Sequence, residues 1–172
     1  MRTLTFIVGA PADAFDGAFA SAVSDELRKR YSFTAAAGDR YESEPVNARG
    51  WGELQTLIRN MMGAGAAPHL TSVDAYQTVY LPTEVPAIEH VAVANAADPL
   101  HVASLTALIA DLGSFASHAQ LPTDDVELMQ MAAQYLEDEN GLDRELDFQM
   151  YVQLMLSAKQ ALARKQALWV VS

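Results

Sequence analysis

A chain of 172 residues, 51% hydrophobic and 19% charged, carries enough apolar material for one packed core and too little charge for a disordered polymer. It has no cysteine, which excludes disulfides, thiolate catalysis, zinc–thiolate sites and iron–sulfur clusters. Its net charge of −11 opposes nucleic acid and anionic lipid, whose phosphates call for Lys and Arg.

The first apolar run, Leu4–Val8, is too short and too threonine-interrupted for a secretory segment, and Thr3–Val8 reads as a buried strand ending in a turn at Gly9, Ala10 and Pro11. Asp13 is the expected cap of a helix whose apolar positions are Phe15, Phe19, Ala22, Val23 and Leu27. Arg28, Lys29 and Arg30 suit its C-terminus. Residues 32–49 have neither hydrophobic period and read as one long loop, a length that favours a functional role. After Asn47, the spacing of Trp51, Leu54, Leu57, Ile58, Met61 and Met62 predicts a helix stopped by Gly63 and Gly65.

Residues 75–81 and 88–94 are rich in β-formers and read as strands. Leu100–Ala103 is expected as the second arm of a hairpin, in preference to a helix starting at Asp98–Pro99. Ser104 then caps a helix with Leu105, Leu108, Ile109, Leu112, Phe115 and Ala116 inward. After Pro122 and Thr123 a further helix runs to about Leu136, with acids in its first turn. A long helix over about 142–165 is apolar almost all round and therefore central, and Ala167–Val171 is a strand. No run reaches the roughly 20 apolar residues of a membrane span. Apolar strands at both ends are expected to meet in one sheet. The predicted fold is α+β: a single domain over 1–172, with a small mixed or antiparallel sheet that includes both terminal strands, packed against about five helices mostly on one face.

Charge is placed unevenly. Between Arg59 and Arg144 there is no lysine or arginine, while the same stretch holds twelve Asp and Glu. If the termini pair, the basic residues from the two chain ends share one side and leave the other acidic.

Motifs for chemistry are weak. His69, His90, His101 and His118 are never three or four apart, so no helix face holds two ligands, and they read as structural or solvent-facing. Asp138, Asn140 and Gly141 imitate part of a calcium loop, which then fails at Leu136 and Asp147. No nucleophile elbow occurs, and the Val8–Pro11 turn lacks the Lys and second glycine of a phosphate loop. Trp51 and the methionines Met61, Met62, Met129, Met131, Met150 and Met155 read as core filler. Neither a metal nor a cofactor is expected.

The leading expectation is a non-enzymatic cytoplasmic protein of bacterial type, an inhibitor or immunity-like module. It would present Asp124, Asp125, Glu127, Glu137, Asp138 and Glu139 to a basic protein partner, with no role at nucleic acid or membrane. The dipolar surface also admits self-association. The alternative is a small-molecule binder or enzyme using Asp39, Arg40, Tyr41, Glu42 and Glu44 in the 32–49 loop.

Overall fold

The computed structural model describes residues 2–32, 40–138 and 144–172. The fold is α+β, and among the described residues seven strands form one mixed sheet accompanied by seven helices. The terminal strands, β1 (Thr3–Gly9) and β7 (Ala167–Val171), lie side by side antiparallel, Phe6 opposite Val170 and Val8 opposite Leu168. β4 (Thr78–Leu81) follows β7 antiparallel, and β6 (Leu100–Ser104) follows β4 parallel. β5 (Glu89–Val91) then forms the expected hairpin with β6 and closes that edge.

The other edge corrects the sequence reading. Within 32–49, β2 (Tyr41–Glu42) and β3 (Val46–Asn47) both pair with β1. Between them Ser43 exchanges bonds with Phe6: its Oγ accepts from the Phe6 N–H and its own N–H donates to the Phe6 carbonyl, both at 2.9 Å. Two-residue strands show no period, so only the open edge of β1 reveals them. Residues 33–39 lie outside the described residues.

Alternation along the strands sends side chains to two cores. Leu4, Phe6, Val8, Tyr80, Ala103, Leu168 and Val170 face one, while Ile7, Val79, Leu81, Val102 and Trp169 face the other. The larger core is roofed by α3 (Arg49–Met62), α4 (Pro68–Thr71), α5 (Leu105–Ala119), α6 (Asp125–Glu137) and α7 (Leu146–Arg164). Twelve of the nineteen residues of α7 are buried, which makes it the central helix, as its all-round apolar pattern requires. Gly50 sets how closely α3 approaches it: a Cβ there would lie 2.5 Å from the Leu146 carbonyl oxygen. The predicted start of α7 at 142 falls outside the described residues.

The smaller core lies under α2 (Gly17–Arg30) through Val23 and Leu27. The single helix expected from Asp13 onward is instead α1 (Pro11–Ala14) and α2, broken at the extended Phe15. The Asp13 carboxylate is taken by the Ala10 N–H at 2.8 Å, so it closes a single turn rather than capping the long helix. Ser104 caps α5 as expected, accepting from the Ala107 N–H at 3.2 Å.

Candidate functional site

α6 carries the acidic segment. Asp124 is its N-cap, one carboxylate oxygen accepting from the N–H groups of Val126 at 3.1 Å and Glu127 at 3.3 Å. Asp125 is paired with Lys159 of α7 at 2.6 Å, and Asp138 is paired with Arg144. Two of the acids are therefore neutralised locally, and cations from beyond the charge gap reach into the acidic side. Glu127 and Glu137 point to solvent, and Glu139 lies outside the described residues.

Only Leu128 of this helix is fully buried. With Met131 and Ala132 it seats α6 on the larger core, and Tyr135 is held by a 2.6 Å bond to Glu145. Burial and that bond push the Tyr135 phenol far above its ordinary range. The flank of α6 next to its seated side, turned about 120° from Leu128, is apolar as well. Val126, Met129 and Leu136 are 57, 54 and 55% exposed, three of the five large apolar side chains standing in solvent among the described residues. With Ala133 they follow spacings of three, four and three residues, which at about 100° per residue confines them to an arc of about 80°. Met129 is thus a surface residue, not core filler, and so is Met61, whereas Met150 and Met155 are buried. A solvated helix face ordinarily carries charge, so a repeated apolar seam there is unexplained by folding.

The described residues of the loop reading are brought to the edge of β1. Arg40 and Glu42 form an exposed ion pair at 2.7 Å. Tyr41 is half-buried beneath Arg164, whose guanidinium lies 5.7 Å from the ring centroid, and burial raises its phenol pKa. Glu44 lines a void of about 20 Å3 beside Tyr135 and Gln149, room for one water molecule. Asp39 lies outside the described residues.

A larger cleft, about 570 Å3, opens where β1, β4 and β6 begin and β7 ends. Phe15 and Phe19 from the α1–α2 junction make its apolar wall, their rings edge-to-face at 4.9 Å. Its rim holds Arg2, whose guanidinium lies 3.9 Å from the Tyr76 ring centroid, together with Asp74 and Asp98. Gln77, at the start of β4, sits at φ 58° and receives the His101 N–H on its carbonyl at 2.9 Å. The left-handed backbone of a non-glycine residue stores strain, a feature concentrated at binding sites.

Three of the four histidines are held by tertiary contacts, while His118 meets the Ser114 carbonyl of its own helix at 2.9 Å. His90 and His101 stack face to face across the β5–β6 hairpin, centroids 4.4 Å apart. His101 Nδ1 accepts from the Asp74 N–H at 3.1 Å, which puts the proton of the neutral ring on Nε2. Burial and the neighbouring His90 lower the His101 pKa. His69 gives structural bonds: its N–H and ring Nδ1 meet Asp111 at 3.0 and 2.9 Å, while its carbonyl accepts from Tyr80 at 2.7 Å. Among the described residues no three His, Asp or Glu converge as a metal site would require. No helix there is long and apolar enough to cross a membrane.

In comparisons with known proteins no family model matches the chain, and no curated protein or solved structure matches it significantly.

Proposed function

We propose that this protein is a non-enzymatic interaction module whose contact face is the outer side of α6, and that its partner presents a basic amphipathic helix. The observation that carries the reading is the Val126, Met129, Ala133, Leu136 seam, exposed on a helix that also carries the solvent-facing Glu127 and Glu137. Such a seam matches the apolar stripe of a second helix. The acids beside it favour Lys and Arg on that helix's flanks. They also disfavour a second copy of this chain, because α6 against α6 sets acid against acid in either direction.

The test is affinity capture from the source lysate, at low and high salt, with wild-type protein and with the M129K/L136K variant. The expected result is a captured protein containing a Lys/Arg-rich amphipathic segment. A synthetic peptide of that segment should gain helicity on binding wild type, lose affinity in high salt and fail to bind the variant. Equal capture by the variant, or capture of nothing that salt releases, overturns the reading.

A further inference from the structure

The cleft at the end of the sheet lies apart from α6, no residue of which lines it. Its volume, about 570 Å3, is in the range of small-molecule sites, which combine an apolar wall with a few convergent polar groups. The wall is Phe15 and Phe19, of which Phe15 also packs edge-to-face on the buried Trp169 at 5.5 Å. That contact ties the wall to the core, so the rings are pre-set rather than collapsed into the space.

The polar groups have opposite signs. Arg2 rests its guanidinium face on Tyr76, which fixes the group in place while leaving its N–H edge unspent on any carboxylate among the described residues. Asp98, in the turn before β6, carries a carboxylate with no cation on it among the described residues. Asp74 gives one carboxylate oxygen to the Tyr76 N–H at 3.3 Å and keeps the other. The backbone beneath them is fixed by the bonds Asp74 N–H to His101 Nδ1 and His101 N–H to the Gln77 carbonyl. A guanidinium and carboxylates that share one cleft without pairing among the described residues suit a ligand that brings both counter-charges itself.

We infer that this cleft binds a free α-amino acid with a large apolar side chain, its carboxylate on Arg2, its ammonium on Asp98 and its side chain against Phe15 and Phe19. The guanidinium fork matches a carboxylate through two parallel hydrogen bonds. The aromatic wall supplies the apolar contact, and without it the charges alone would hold the ligand poorly in water.

The experiment is isothermal titration of the full chain with L-phenylalanine, and with two probes that each lack one charge, phenethylamine and 3-phenylpropionate. The expected result is a Kd for L-phenylalanine below about 1 mM, with each single-charge probe at least about tenfold weaker, as the loss of one charge-assisted contact implies. Arg2→Gln should weaken L-phenylalanine by about tenfold while leaving phenethylamine unchanged, and Asp98→Asn should do the converse with 3-phenylpropionate. Both positions are exposed, and circular dichroism and Tm equal to wild type would show the variants folded. The inference is overturned if L-phenylalanine does not bind. It is equally overturned if either single-charge probe binds as tightly, or if the folded variants bind L-phenylalanine like wild type.

Discussion

Trp169 of β7 donates its indole N–H to the carbonyl of Gly9 at the end of β1, at 2.9 Å and across 160 residues of chain. The ring is fully buried, so the bond is made where water cannot replace it. It fastens the last strand to the first at the point where β1 turns into α1. Trp169→Phe removes the donor and shrinks the ring. The expected loss is about 2 to 4 kcal/mol, a buried hydrogen bond plus a cavity, read from urea unfolding.

Gly50 and Gly52 are neighbours on α3 with opposite surroundings. A Cβ on Gly50 meets the Leu146 backbone carbonyl at 2.5 Å, whereas one on Gly52 meets nothing within 4 Å. Gly50→Ala is expected to destabilise by about 1 to 3 kcal/mol, because α3 and α7 must separate. Gly52→Ala is expected to stabilise by about 0.5 to 1 kcal/mol through helix propensity. Thermal melts of the two variants should move in opposite directions.

Asp124 closes the N-terminus of α6 with two backbone bonds. Asp124→Ala should cost about 1 kcal/mol and Asp124→Asn much less, since the amide oxygen still accepts. Amide exchange at Val126 and Glu127 is the sensitive readout, rising sharply in the alanine variant and little in the asparagine one.

His101 gives a pH dependence of defined sign. Its folded pKa is lowered, first by burial and then by His90, with Asp74 acting the other way. Protonation would also remove the Nδ1 lone pair that accepts from the Asp74 N–H. Below the ordinary histidine value of 6.5, the unfolded chain therefore binds the proton first, so stability falls as pH drops through that value and is retained above it. Tm should decline between pH 7.5 and 5.5 in wild type. In His101→Gln that slope should be reduced, and an unchanged slope would show that other groups set it.

The two sides of α6 should separate stability from binding. Met129→Ser with Leu136→Ser, both at solvent-facing positions, is expected to change stability by no more than about 0.5 kcal/mol while abolishing partner capture. Leu128→Ala, on the seated side, is expected to cost about 2 to 5 kcal/mol.

Long periodic segments were legible because burial imposes its period on the sequence. The stripe from Leu105 to Ala116 named the buried side of α5, and the all-round apolar run from Leu146 to Leu156 marked α7 as central. The apolar termini read as strands of one sheet for the same reason: an uninterrupted run of Leu168, Trp169 and Val170 needs cover on both faces. The β5–β6 hairpin followed from turn residues between two β-rich runs, and the acidic segment was a matter of counting charges.

What the sequence could not reveal is everything that depends on which residues meet across the chain. β2 and β3 are too short to carry a period and exist because β1 offers an unpaired edge. His90 and His101 are eleven residues apart and face each other only because the hairpin register puts them opposite. The cleft combines Arg2, Phe15, Tyr76 and Asp98 from four separate stretches of the chain, with no local motif to announce it. Met129 shows the remaining limit most simply. On a helix apolar on two sides, spacing identifies both stripes, but only packing decides which one the core takes and which one is left to solvent.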